Sequence, residues 1–133
     1  MRLILVRLWA APYSLLGLFL GFILRGRFAI VDGVVEIHSP AIAKWLWRLP
    51  PHAIAITLGH VVLGASESVL CRTRTHERVH VRQFERWGPL LVPAYLLAWV
   101  YLSLRGQDGY RENPFEIEAF NADEADRDDH LRR

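Results

Sequence analysis

Two histidines in this chain are spaced so that both could bind one metal ion. The sequence HERVH begins at His76 and ends at His80, and residues four apart in a helix lie one turn apart on the same face. Glu77, next to the first histidine, would face the same cleft. Zinc at a catalytic centre takes three protein ligands and a water, from which a neighbouring glutamate can accept a proton. The spacing therefore predicts zinc-dependent hydrolysis through a zinc-bound water, with Glu77 as the general base.

The third zinc ligand must come from another part of the chain. Glu116 fits best, because it lies at the start of a predicted helix that Asn113 can cap and that Pro114 suits as its first residue. Glu118 faces about 200° away around the same helix, so only one of the two glutamates can bind. Four histidines remain as alternative ligands: His38, His52, His60 and His130.

The residues around the motif predict a helix that has one inward face. Its inward residues would be His76, Val79, His80, Gln83, Phe84 and Trp87. Its outward residues would be Arg74, Arg78, Arg82 and Glu85. Thr73 or Thr75 could cap the start of this helix. The alternative is a pair of core histidines satisfied by hydrogen bonds, but the adjacent glutamate and the inward placement favour a metal site.

The two motifs together resemble those of the zincin metallopeptidases of the gluzincin branch. In that branch an H-E-x-x-H helix is followed by a helix with an E-x-x-A pattern, which Glu116 and Ala119 match here. The resemblance covers the segment from Thr73 to Asp123, and it implies a zinc-dependent peptidase. The residues it implies are the zinc ligands His76, His80 and Glu116 and the general base Glu77.

One position departs from the pattern of that branch. Many of its membrane-linked members carry an aspartate directly after the alanine, where the aspartate supports a ligand histidine. This chain has Phe120 at that position. Asp123, one turn further along the helix, is the residue that could substitute for it.

The N-terminal segment is apolar enough to enter a membrane. No charged residue occurs from Leu8 to Leu24, and a helix of that length measures about 25 Å, near the lower limit for spanning. Arginines flank it at Arg2, Arg7, Arg25 and Arg27. A secretory signal peptide is the alternative, but no small-x-small cleavage site precedes the second pair of arginines. We therefore expect an uncleaved membrane anchor over residues 1–27.

A second apolar segment, from Leu90 to Leu104, lies between the two halves of the proposed metal site. If it crossed the bilayer, Glu116 and the two histidines would be on opposite sides and the site could not close. We therefore expect a single crossing by the N-terminal segment, with Leu90 to Leu104 as a buried core helix or a monotopic segment. The positive-inside rule places the metal site on the cytoplasmic side.

The remaining segments predict an α+β fold with a zincin-like domain over residues 28–122. Asp32 and Gly33 separate two β-branched runs, which predicts a tight hairpin. The stretch from Ala53 to Gly64 predicts either one bulged strand or a second hairpin. A short amphipathic helix is expected from Ala41 to Leu49, either in the core or at a membrane interface. The charged residues 123–133 are expected to be solvated or disordered.

Charge and cysteine content narrow the classes of function. The net charge of +2 and the absence of basic blocks with interleaved aromatics argue against a nucleic-acid partner. The single cysteine, Cys71, excludes an internal disulfide. The sequence thus predicts a membrane-associated zinc metallopeptidase whose partners are membrane lipid and a peptide or protein substrate. The alternatives are a non-catalytic module stabilised by zinc, and a small membrane protein without a metal.

Overall fold

A computed structural model describes all residues from Met1 to Arg133 and shows an α+β fold with an N-terminal apolar helix, which confirms that part of the predicted fold. The helices are α1 (Arg2–Ile23), α2 (Pro40–Trp47), α3 (Glu67–Trp87), α4 (Leu91–Leu104) and α5 (Pro114–Leu131). The strands are β1 (Arg27–Val31), β2 (Val34–His38), β3 (Ala55–Leu58) and β4 (Val61–Gly64). A short 3₁₀ turn, Gly88–Leu90, joins α3 to α4.

The four strands form one mixed sheet in the order β1-β2-β4-β3. β1 and β2 form the predicted hairpin, in which Asp32 and Gly33 have φ angles of 51° and 78°, as a type I′ turn requires. β3 and β4 form the second hairpin around Gly59, with φ of 64°, so the bulged-strand alternative does not apply. The two hairpins join through parallel pairing of β2 with β4.

Helices cover both faces of the sheet. On one face Ile37 and Val61 form a core cluster with Ile42 and Leu46 of α2, against which residues of α1 pack. On the other face Val34 and Val62 pack with two residues of α3, Leu70 and Val81. Side chains alternate between the faces of a strand, which is why neighbouring positions belong to different clusters. α5 packs on α3.

Helix α1 packs lengthwise against the sheet. Its buried residues are Ala10, Gly17 and Gly21. A Cβ atom at Gly17 would lie 2.8 Å from Cβ of Val61, and one at Gly21 would lie 2.5 Å from Cδ1 of Ile37. The helix backbone therefore touches the sheet, and no boundary at residue 27 divides the chain into two units that pack separately.

Two helical stretches, Arg2–Ile23 and Glu67–Leu104, have the length and composition of candidate membrane spans. Core helices and signal sequences meet the same criterion, so the observation concerns composition only. Within the second stretch, α4 has one buried residue, Leu91. The expected burial of the segment Leu90 to Leu104 in the core is therefore wrong, because nothing in the chain covers most of α4. The monotopic alternative remains.

Two helices differ from the sequence-based expectations at their ends. α3 begins at Glu67, two turns before the predicted caps, because the Ser66 hydroxyl accepts a hydrogen bond from Val69 N. Thr73 lies inside the helix and donates to the carbonyl of Val69. α5 continues to Leu131, so residues 123–133 are solvated as expected but mostly helical rather than disordered.

The helical end of α5 has a local explanation. Arg133 pairs with Asp129 at 2.8 Å, and His130 lies 3.8 Å from Asp126, which are both i,i+4 pairs of the kind that supports a helix.

In α2, Ile42 and Leu46 are fully buried. That face of the helix therefore packs in the core, as one of the two alternatives predicts.

Candidate metal centre

Helices α3 and α5 run antiparallel and bring the two predicted motifs together. Near one end, Gln83 donates hydrogen bonds to the carbonyl of Phe115 and to Glu118. Near the other end, Thr75 donates to Asp126. Asn113 fixes the start of α5, because its side chain accepts from Phe115 N and donates to the carbonyl of Tyr95. These contacts place the first turn of α5 beside the middle of α3.

The three predicted ligands meet between these helices. Nε2 of His76 lies 3.0 Å from Oε2 of Glu116, and Nε2 of His80 lies 3.4 Å from the same oxygen. One potential ligand atom from each residue lies within 4.8 Å of the others. Neighbouring ligands of tetrahedral zinc with bonds of 2.0–2.1 Å are about 3.3 Å apart. The side chains therefore have the types and the spacing that a zinc ion needs.

The other ring nitrogen of each histidine has its own hydrogen-bond partner. Nδ1 of His76 lies 2.9 Å from Oδ2 of Asp123, and Nδ1 of His80 lies 2.9 Å from Oε1 of Gln83. Because these oxygens accept hydrogen bonds, they favour the tautomer that carries its proton on Nδ1 and presents the lone pair of Nε2 to a metal. Asp123 thus makes the contact with His76 that the sequence analysis suggested, in place of the aspartate of the resembled pattern. Gln83 was recognised only as an inward residue.

Phe120, which replaces the aspartate of the resembled pattern, has a packing role. Its ring lies edge-on to the His76 ring, with centroids 5.0 Å apart. It also packs edge-on against Tyr110. At the position where the resembled pattern has a carboxylate, this protein therefore packs an aromatic ring against His76.

Glu77 contacts the sheet, and its charge also acts on His76 and His80. The hydroxyl of Thr57 in β3 donates to Oε2 of Glu77 at 2.6 Å, and both residues are buried. That hydrogen bond holds one carboxylate oxygen and leaves Oε1 available to a water. Thr57 was not predicted, because its contact depends on β3 lying beside α3. The only sequence signal for Thr57 is the alternation of side chains along a strand, which would place its hydroxyl on one face of the sheet.

Glu116 is held as an anion. Burial raises the pKa of its carboxyl group, but hydrogen bonds from His76 and His80 lower the pKa by more than burial raises it. The resulting pKa is about 2. Burial lowers the pKa of His80, whereas its hydrogen bond to Glu116 and the nearby charge of Glu77 raise it to about 9. Without a metal, the site is thus a buried cluster of opposite charges.

Tyr95 of α4 completes the surroundings of Glu116. Its hydroxyl donates to Oε1 of Glu116 at 2.7 Å. Burial, together with the carboxylate charge, raises the pKa of Tyr95, so the hydroxyl remains a donor at neutral pH. The contact orients the ligand carboxylate. Nothing in the sequence singles out this tyrosine for that role.

The alternative ligands lie elsewhere. His60 pairs with Glu85 at 2.9 Å, and Nδ1 of His52 lies 2.8 Å from the carbonyl oxygen of Trp47. Neither these histidines nor His38 and His130 join the cluster of metal-binding groups. Glu118 instead accepts hydrogen bonds from Gln83 and Arg86, in agreement with its predicted position on another face of α5.

Two of the arginines expected on the outward face of α3 are used inside the protein. Arg74 donates two hydrogen bonds to Glu36 of β2, and Arg78 donates to Glu36 and to the carbonyl of Val31. The outward prediction is therefore wrong for these two residues, because the sheet covers that side of the helix. It holds for Arg82, which is exposed.

An open cleft of about 480 Å³ adjoins the metal site. Its lining residues are Tyr110, Arg111, Phe120, Asp123, Glu124 and Arg127. Two of them, Phe120 and Asp123, contact His76 directly.

Comparisons with models of protein families, with curated proteins and with solved structures found no match.

Proposed function

We propose that this protein is a membrane-associated zinc metallopeptidase of the zincin type. The observation that carries the proposal is the meeting of His76, His80 and Glu116 between two helices, with Glu77 beside them. The hydrogen bonds of Asp123 and of Gln83 add support, because metal-binding histidines commonly donate their second ring N–H to such acceptors. Two histidines that merely packed in the core would not need an acceptor on each second ring nitrogen in addition to the shared carboxylate of Glu116.

Each residue of the site has a role in the proposed reaction. His76, His80 and Glu116 would hold zinc, which supplies a polarised substrate carbonyl and a water of lowered pKa when bound. Glu77 would accept a proton from the attacking water at Oε1, while Thr57 fixes Oε2. As the water oxygen bonds to the carbonyl carbon and the C–N bond breaks, Glu77 would return that proton to the leaving amine.

A non-catalytic, zinc-stabilised module is the second candidate. The observation in its favour is the burial of the site, since His76 is 8% exposed and Glu116 is 5% exposed. A peptide must reach the metal for hydrolysis, whereas a structural ion needs no access. The observation that favours the peptidase is Glu77, a buried carboxylate that a structural ion does not need; the adjoining cleft reaches Phe120 and Asp123 but none of the three ligands.

Metal content tests the site itself. The purified protein should carry about one zinc per chain, and the double change His76→Ala/His80→Ala should abolish binding. Glu116→Ala should weaken binding, whereas the matched change Glu118→Ala should leave it intact. Full zinc retention in the double histidine variant would refute the site.

Catalysis is tested with a variant that keeps the metal. Glu77→Gln preserves shape and hydrogen bonding but removes the base, so zinc content should remain and peptide hydrolysis should fall about 10²–10⁴-fold. Membranes that contain either protein are incubated with a peptide library, with a chelator-treated sample as the reference. Equal hydrolysis by the two proteins would leave the zinc-stabilised module as the function.

The orientation of the site belongs to the same proposal. We place the metal centre on the cytoplasmic side of the membrane, because the arginines at both ends of the apolar part of α1 suit the anionic headgroups that the cytoplasmic leaflet carries. The membrane association itself rests on the apolar helices α1 and α4.

A further inference from the structure

Helix α1 is covered by protein on one side and bare on the other. The apolar part of the candidate span runs from Leu8 to Leu24. Its buried positions Gly17 and Gly21 lie on the sheet, and the carbonyl of Ala10 lies against the turn at Gly59. The opposite side chains are exposed: Leu15 by 65%, Phe19 by 60% and Phe22 by 78%. The apolar segment thus lies beside the sheet along most of its length.

That packing is incompatible with a bilayer-spanning α1. A crossing helix would carry the sheet into the hydrocarbon, since the two touch from residue 10 to residue 21. The sheet is open, with β1 and β3 as its edges. Unpaired backbone groups of an open edge do not occur in contact with lipid chains, because each would lose its hydrogen bonds to water.

Helix α4 needs an apolar neighbour as well. None of its residues, Leu91–Leu104, is charged, and only Leu91 is buried. A helix that is apolar on every side normally lies within a protein core or a membrane. At about 21 Å it is too short to cross a bilayer. It ends in the polar sequence RGQDGYRE, which would be unfavourable at the bilayer centre.

The two helices meet at one corner of the protein. Ala10 of α1, Phe84 of α3 and Leu91 of α4 form a buried cluster. The indole of Trp9 packs against Gly88, where any larger residue would collide with it. The exposed apolar surfaces of α1 and α4 therefore begin at a shared point.

We propose that the protein is monotopic, with α1 and α4 lying flat in a single leaflet and neither helix crossing the bilayer. The partner is a lipid surface that carries anionic headgroups. Arginines lie at both ends of the apolar part of α1, at Arg2, Arg7 and Arg25, and directly after α4 at Arg105, and cations in these places are attracted to such headgroups. The inference replaces the predicted single crossing and does not depend on zinc or on catalysis.

Labelling with a membrane-impermeant maleimide distinguishes the two arrangements. The native Cys71 is exposed and reports the side of α3. A second protein carries Cys71→Ser and one cysteine inserted after Met1, before α1. Both are labelled in sealed right-side-out and inverted vesicles.

A flat α1 predicts that the inserted cysteine and Cys71 react in the same vesicle type. Reaction in opposite vesicle types would show that α1 crosses the membrane and would overturn the proposal. Failure of the inserted cysteine to react in either type before detergent is added would place it in the hydrocarbon, with the same consequence.

Fractionation tests the lipid partner independently. The wild-type protein should remain with membranes in high salt and leave them in detergent, whereas Leu15→Glu/Phe19→Glu should shift at least half of it to the soluble fraction. Asn121→Glu, on an exposed position of α5, is the control and should remain bound. A soluble wild-type protein would also overturn the proposal.

Discussion

In each of the two proposed ligand histidines, one ring nitrogen faces the candidate metal position and the other makes a hydrogen bond. For His76 that second contact is with Asp123 at 2.9 Å. A carboxylate there fixes the ring orientation and increases the basicity of the ligand nitrogen. The affinity for zinc should therefore depend on a residue that does not contact the ion.

Replacing Asp123 with alanine should weaken zinc binding about 10- to 100-fold. The measurement is a competition titration of the metal-free protein against a chelator of known affinity. Asp126→Ala is the control, because Asp126 contacts Thr75 and not a ligand. Equal affinities of the two variants would show that Asp123 has no influence on the metal.

Thr57 provides the second prediction at this scale. Thr57→Val keeps the shape of the side chain but removes the hydroxyl that holds Oε2 of Glu77. The carboxylate is then free to turn, and a displaced base should lower kcat by about 10- to 100-fold. Zinc content should not change, because Thr57 contacts no ligand.

Thr57→Ser is the matched control, since it keeps a hydroxyl and should restore most of the turnover. A Thr57→Val protein as active as the wild type would mean that Glu77 does not need this contact. A loss of zinc in Thr57→Val would indicate a general distortion of α3 rather than a misplaced base.

Residues within one helix were easier to predict than residues that meet across elements. His76 and His80 follow from spacing along one helix and Glu116 from its place at the start of another, while Asp123 follows from the resembled pattern, one turn beyond Phe120. Thr57 reaches Glu77 only because β3 lies beside α3, and Tyr95 reaches Glu116 only because the chain turns back after α4. Such contacts are set by tertiary packing, which periodicity does not describe.

At the scale of elements, local turn chemistry predicted the hairpins but not their arrangement. Asp32 and Gly33 mark one turn, and Gly59 marks the other. The parallel pairing of β2 with β4 joins strands separated by a helix, and no short-range signal encodes it. The early start of α3 is not evident from the sequence, because serine and threonine both cap helices and Ser66, Thr73 and Thr75 all precede the motif.

Glu36 attaches α3 to the sheet. Burial raises the pKa of its carboxyl group, but hydrogen bonds and charges from Arg74 and Arg78 outweigh that effect, so its pKa lies below the usual 4.5. A group whose pKa is lower in the folded state stabilises the protein above its unfolded pKa. That contribution is lost as the pH falls from about 4.5 through the folded value.

Glu36→Gln should therefore reduce the free energy of unfolding at neutral pH by about 2–3 kcal/mol. It should also flatten the decline in stability below pH 4.5. The test is denaturant unfolding in detergent across a pH series, with a chelator present so that metal binding does not contribute. Glu124→Gln, at an exposed position, is the control. Parallel pH profiles for wild type and Glu36→Gln would contradict the assignment.

For the whole molecule, the candidate metal centre lies where the last helix joins the rest. α5 makes its main packing contacts with α3, and many of its polar contacts to α3 surround Glu116 and Asp123. An ion held by His76, His80 and Glu116 would connect the two helices directly. Binding to the folded state alone stabilises a protein by about 4 kcal/mol when the free ligand is a thousandfold above its Kd.

Removal of zinc should therefore loosen α5 before it affects the sheet. In hydrogen exchange, amides of α5 should exchange faster with a chelator than with zinc, while those of β2 and β4 should change little. Glu77→Gln should respond as the wild type does, because it keeps the ligands. His76→Ala/His80→Ala should show no response to zinc. If zinc protected the sheet and α5 equally, the ion would stabilise the fold as a whole and would not act as a connection between α3 and α5.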